Sequence, residues 1–271
     1  MSIKSILCAY SGVPEKGAGL RHAIRLARHH NAYLSGVIRH GLPFLHRQFS
    51  GQIPASVLDQ LTENERTLMA EVAERFRAIT EEAGLGDRAE FIDLDPAAHG
   101  PLTEFSRAFD LVVTGNHAHG AHEDHLSANP DLIALRSGRP VLVVPDGYEA
   151  DGLASHAVVA WDGKRAATRA LVAAMPFLED KARITLLSVG ETPRNTDRLL
   201  QTIERHGVPA EARAVRARGT ISETLVAQSA VLGARLVVTG AFEHSKFSHD
   251  IRGGVTTDIL RDTDVPVLMA H

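Results

Sequence analysis

The chain has 271 residues, 44% of them hydrophobic and 23% charged, with a formal net charge of −4 at pH 7. This is an ordinary globular composition, and its mild negative balance gives no basis for a nucleic-acid or acidic-membrane partner. No run approaches the roughly 18 apolar residues of a membrane span.

Met1–Leu7 leads straight into a strand pattern and lacks the cleavage logic of a signal peptide, so a soluble, cytoplasmic protein is expected. The one cysteine, Cys8, excludes an intrachain disulfide and sits in an apolar run, where it reads as packing. Ile3–Tyr10 has strand length and is broken by Ser11-Gly12-Val13-Pro14. From Gly19 the spacing turns helical, with Leu20, Ala23, Ile24 and Ala27 on one face, and Tyr33–Ile38 returns to strand character. Residues 55–83 predict a long helix with Val57, Leu58, Leu61, Leu68, Met69, Val72 and Phe76 on an apolar stripe. Ala89–Leu94 is a third strand. Helices around Pro101–Phe109 and Pro130–Ser137 lead into strands at Leu111 and Pro140.

The second half repeats this order. Its strands are predicted at Ala157–Trp161, Arg183–Val189, Glu211–Val215, Arg235–Thr239 and Pro266–Ala270. Its helices are predicted at Arg165–Met175, Thr196–His206, Ile221–Leu232 and Thr256–Arg261. The repetition reaches the letters: Leu111-Val112-Val113-Thr114-Gly115 recurs as Leu236-Val237-Val238-Thr239-Gly240, and Ala9-Tyr10-Ser11-Gly12 is echoed by Ala160-Trp161-Asp162-Gly163. Such self-similarity marks one structural unit written twice. The polar linker Asp146–Gly152 divides the chain into domains 1–147 and 148–271. Strands alternating with helices imply parallel βαβ units with right-handed crossovers. The fold class expected is therefore α/β, as two repeated, doubly wound, mostly parallel five-stranded sheets with helices on both faces. The first copy is longer by about 26 residues, inserted between its second and third strands.

Ligands of such sheets bind outside the carboxyl ends of the strands, where the strand order reverses. In the second half the loop Gly240–Thr257 falls there. It carries Gly240 at one end and Gly253-Gly254 at the other, then opens a helix at Thr256. Glycines allow close backbone approach, and a helix N-terminus offers free N–H groups and partial positive charge to a phosphate. Lys246 and Arg252 add charge. A plain pair of turns would also use Gly253-Gly254. Neither G-x-x-x-x-G-K-[ST] nor G-x-G-x-x-G is present, so a P-loop ATPase and a dinucleotide enzyme are not supported.

On these residues the chain resembles a tandem universal stress protein, whose domains have the adenine-nucleotide alpha-hydrolase-like fold. ATP-binding members of that family carry Asp after the first strand and G-x2-G-x9-G-[ST] after the fourth. The second half matches with Asp162, Gly240, Gly253, Val255 and Thr256, and with the closing Pro266-Val267-Leu268. The resemblance implies that Asp162 lies near the ribose and the metal–phosphate region. It implies that Val189 offers its backbone to adenine, and that Gly240, Gly253, Gly254, Val255 and Thr256 cradle ribose and phosphates. The implied cofactor is ATP with Mg. Two positions depart from the pattern: Glu243 replaces the second Gly, and Gly254 replaces the hydroxyl residue. A carboxylate beside phosphates repels them unless a metal intervenes.

In the first half Ser11 stands for Asp162, Ala118 for the second Gly, and Ala128-Asn129 for the closing pair. Pro130 has no N–H and Asp131 brings negative charge to the helix start, so no nucleotide is expected there. His117, His119, His122 and His125, beside Glu123 and Asp124, suit either a transition metal or a solvated loop; no metal site is assigned. The pair His29-His30 falls at a helix C-terminus.

Family domains pair through the last strand. Pairing Val141–Val144 with Val267–Ala270 would satisfy two exposed apolar edges and give an intramolecular pseudo-dimer, with further homodimers open. The insertion Leu42–Phe49 could pack on the long helix, cap the first site or dock a protein partner. The function implied is a stress-response regulatory module whose second domain binds ATP without efficient turnover. The alternatives are a nucleotide-independent interaction scaffold with abandoned sites in both domains, or a slow ATP-using enzyme.

Overall fold

A computed structural model describes residues 3–12, 17–39, 54–115, 130–149, 152–241 and 255–271. The first half contains β1 (Ser5–Ala9), α1 (Ala18–His30), β2 (Tyr33–Arg39), α2 (Ala55–Glu82) and β3 (Ala89–Leu94). It continues with α3 (Pro96–His99), α4 (Leu102–Phe105), β4 (Leu111–Gly115), α5 (Pro130–Ser137) and β5 (Val141–Val144). The second half contains β6 (Ala154–Ala160), α6 (Arg165–Ala174), β7 (Leu178–Val189), α7 (Thr196–Arg205) and β8 (Ala210–Val215), then α8 (Ile221–Val231), β9 (Leu236–Gly240), α9 (Val255–Asp262) and β10 (Val267–Ala270).

The strands form one ten-stranded sheet in the order β3-β2-β1-β4-β5-β10-β9-β6-β7-β8. Within each half every pairing is parallel. The two halves meet through an antiparallel pair in which Val267, Leu268 and Met269 face Val143, Leu142 and Val141. This is the pairing that the two Pro-initiated runs predict, and it leaves neither edge open.

The central strands are near-continuous apolar runs because both faces are covered. Ile6 and Cys8 face one core and Leu7 the other. Burial pushes the Cys8 thiol up to about 12, so it stays protonated, in keeping with a packing role. Leu142 and Leu268, one from each half, belong to the same core. The cores therefore run through the junction rather than stopping at it.

Several elements differ from the sequence reading: a short α3 at Pro96–His99 was not expected, and β6 begins at Ala154 rather than Ala157. The helix expected over Pro101–Phe109 is only α4 followed by a 3-10 turn at Ser106–Ala108, where Ser106 Oγ donates to the Leu102 carbonyl (2.6 Å) and Phe109 turns extended. The strand expected at Arg183 begins at Leu178, with Lys181 at φ 71° and a register shift against Ala154 and His156. The stripe on α2 is only half used: Met69, Val72 and Phe76 are buried, but Val57 and Leu68 are 45% and 48% exposed. The insertion Leu42–Phe49 and the histidine loop 117–125 lie outside the described residues.

Leu142 is fully buried opposite Leu268. Leu142→Ala is expected to lower the unfolding free energy by about 2–5 kcal/mol, read from urea denaturation. A loss well under that range would mean that apolar packing is not what holds the junction.

Candidate functional site

Strand order marks a candidate site. From β6 the second half proceeds outward to β7 and β8, then returns on the other side to β9 and β10. The order reverses between β6 and β9, and their carboxyl ends bound a crevice there. Asp162 follows β6, Gly240 ends β9, and α9 opens at Val255.

The turn that presents Asp162 is pinned from below. The Trp161 N–H donates to the Leu187 carbonyl (2.8 Å), and the Trp161 indole Nε1–H donates to Thr196 Oγ1 (3.0 Å). Ser188 Oγ donates to the Trp161 carbonyl (2.7 Å). With its neighbour fixed, Asp162 projects outward, its side chain 49% exposed. Asp162 Oδ1 accepts the Lys164 N–H (3.0 Å), and Lys164 Nζ lies 3.6 Å from Oδ2. An exposed pair of this kind contributes only about 0–1 kcal/mol, so a ligand can displace it at small cost. Gly163 makes the turn at φ 75°, against Pro193.

Val189 ends β7. The ladder with β6 stops at Ala160↔Leu187, whereas that with β8 continues to Val189↔Val215. The Val189 peptide thus lies past the last paired residue of β6, at the rim of the crevice. Val255 is 40% exposed at the start of α9, and Thr256 is buried. Gly253, Gly254 and Glu243, with Lys246 and Arg252, lie outside the described residues.

Charge at this rim was missed in the sequence because it is spread over three loops. Lys164 and Arg165 follow β6, Arg194 follows β7, and Arg216 and Arg218 follow β8, against Asp162 and Glu191. The parallel sheet brings all three loops to one edge, where like charges focus field toward an anion. In the first half Asp95 follows β3 at the place that Arg216 takes after β8.

In the first half α2 packs against the turn after β1. Val72 packs where a side chain on Gly12 would stand, and Arg75 donates to the Gly12 carbonyl. Phe76 lies on Gly36 and sits between Tyr10 and Phe91, with ring centroids 6.1 and 5.5 Å away and both pairs tilted. α2 has 28 residues where α7 has 10. At about 1.5 Å per residue the difference is about 27 Å of helix. Because Val72 already meets the loop after β1, the turns before it extend past the sheet's carboxyl edge.

Gly240 has a cause independent of any ligand. A Cβ there would come within 2.7 Å of Ala166 Cβ and 2.8 Å of the Ala166–Ala167 peptide. The glycine lets α6 lie against β9. Gly240→Ala is expected to destabilise the ligand-free protein by about 1–3 kcal/mol, seen as a lower midpoint in thermal unfolding. An unchanged midpoint would return Gly240 to a purely ligand-binding role.

Comparison with known proteins agrees with this architecture. Residues 2–145 match the Universal stress protein family. A curated universal stress protein of Synechocystis sp. is 25% identical over 177 residues, covering 62% of this chain. The chain spans about 60% of the length of that relative. The crystal structure of a universal stress protein from Archaeoglobus fulgidus superposes with a TM-score of 0.68 at 17% identity, covering 98% of this chain and 95% of that one. A putative universal stress protein from Pseudomonas aeruginosa gives 0.57 at 16% identity, covering 99% and 93%. The chain belongs to the universal stress protein family, a family of stress-response proteins.

Proposed function

We propose that this protein is a two-domain stress-response module, divided at 147/148, in which the second domain binds ATP with Mg and the first domain does not. The observation that carries this reading is the contrast between the two crevices. The second has Asp162 turned outward, the Val189 peptide beyond the β6 ladder, and a rim of lysine and arginine. In the first, α2 sets Val72 and Arg75 on the Gly12 turn.

The chemistry fits a polyphosphate nucleotide better than an uncharged ligand. Lys164 and Arg165 sit at the N-terminus of α6, and Val255 and Thr256 open α9. Two helix N-termini and several cations beside one crevice favour anionic groups. Asp162 would hold the ribose or the metal, and Gly253 and Gly254 would let the backbone approach the phosphates. The role is binding and signalling, with turnover incidental.

A second reading, a nucleotide-independent scaffold, draws on α2, whose Val57 and Leu68 stay exposed. The two readings separate in calorimetric titration of the nucleotide-stripped chain with Mg-ATP. One site per chain is expected, with affinity reduced at least tenfold, or about 1.4 kcal/mol, in Asp162→Ala. No heat from a folded chain would favour the scaffold.

A further inference from the structure

Asp131 and Thr257 join the two halves on the second face of the sheet. Asp131 lies in the first turn of α5, and Thr257 in the first turn of α9, the helix that opens beside the proposed phosphate site. Thr257 Oγ1 donates to Asp131 Oδ2 (3.2 Å). Asp131 is only 8% exposed, and its other oxygen, Oδ1, is buried without a hydrogen-bond partner.

The contact joins equivalent positions of the two halves. Pro140–Val144 corresponds to Pro266–Ala270, and by the same offset Asp131 corresponds to Thr257, with Ile133 and Ala134 buried as Ile259 and Leu260 are. A carboxylate stands at one of the two positions and a hydroxyl at the other. The residue that removes phosphate affinity from the first half is thus the one that reaches the phosphate helix of the second.

We propose that Asp131 is a positioning and regulatory residue for the nucleotide site of the second half, so that phosphate binding at α9 is coupled to proton uptake by a carboxyl group in the first half. This rests on the ATP-binding reading above. A carboxylate at the α9 N-terminus and an incoming phosphate compete for the same partial positive charge. The phosphate's approach disfavours ionised Asp131, and by linkage protonation of Asp131 favours the phosphate.

Among the described residues no cation is placed against that carboxyl. Glu104 on α4, Arg107 in the next turn, Arg136 on α5, and Asp258, Arg261 and Asp262 on α9 are the charged residues of the elements packed around it; β5 and β10 have none. Arg261 is engaged by Asp258 (3.2 Å) and Asp262 (2.8 Å), and Arg107 donates to the Arg136 carbonyl (3.2 Å). Burial accordingly raises the Asp131 pKa above the ordinary aspartate value, and the Thr257 hydroxyl pulls it partly back.

The sign follows. The free protein ionises Asp131 as pH rises through its raised pKa, so affinity for nucleotide falls over that window and is highest below it. The test is calorimetric titration of the full chain with Mg-ATP from pH 4 to 8, in buffers of different ionisation heat, for the parent, Asp131→Asn and Thr257→Val. The expected result is proton uptake on binding in the parent. Asp131→Asn should bind about 2- to 10-fold more tightly at the alkaline end, with its excess pH dependence gone. Thr257→Val, which removes the donor, should move the parent profile to higher pH. The difference between parent and Asp131→Asn is the readout, so protonation of the nucleotide itself cancels. Binding with the same pH profile in all three would overturn the coupling alone. No binding by the folded parent at any pH would overturn the ATP reading and the coupling with it.

Discussion

The antiparallel pair β5–β10 is the constraint on which the rest of the molecule depends. Two short apolar strands, each the last of its half, would be open sheet edges if left alone. Paired, they merge two five-stranded sheets into one and let each core continue across the junction. They also bring α5 and α9, which precede these strands, close enough for Asp131 to meet Thr257. A pair made for edge protection thereby places the first turn of α5 beside that of α9.

Duplication then allows the halves to diverge. Both have the same strand order and the same crevice at its reversal, so what a crevice does depends on what lines and covers it. In the first half a longer α2 lays Val72 and Arg75 against the turn after β1 and Phe76 on Gly36 of β2. In the second half the shorter α7 supports that turn from beneath, through Thr196 and the Trp161 indole, and leaves Asp162 in solvent. The insertion is thus a physical reason for asymmetry, beyond the loss of glycines.

Two glycines illustrate why a motif has to be weighed against packing. Gly240 is part of the family's loop pattern, yet its missing side chain is already required by α6 at 2.7 Å. Gly36, outside any motif, is required by Phe76 in the same way. A glycine in a sequence reports close approach but does not say by what.

The strands at Leu111 and Leu236, their alternation with helices and the closing Pro-Val-Leu runs determined the doubly wound fold and the edge pairing, because these depend on local period and on repeats visible in one dimension. Asp162 and Val189 stand at the ends of β6 and β7 as expected, because strand ends follow from the same local period, while their roles rest on the family resemblance. The 3-10 turn after Phe105 and the early start of β7 at Leu178 were not, since a hydroxyl bonding back to a carbonyl and a positive φ at Lys181 override the period locally. Only the tertiary structure decided that Arg216 and Arg218 join Lys164 and Arg165 at one rim, that α2 meets the turn after β1, and that Asp131 reaches Thr257. Each of these joins segments 50 or more residues apart, and such proximity is created by sheet order and helix packing, of which the linear pattern carries no trace.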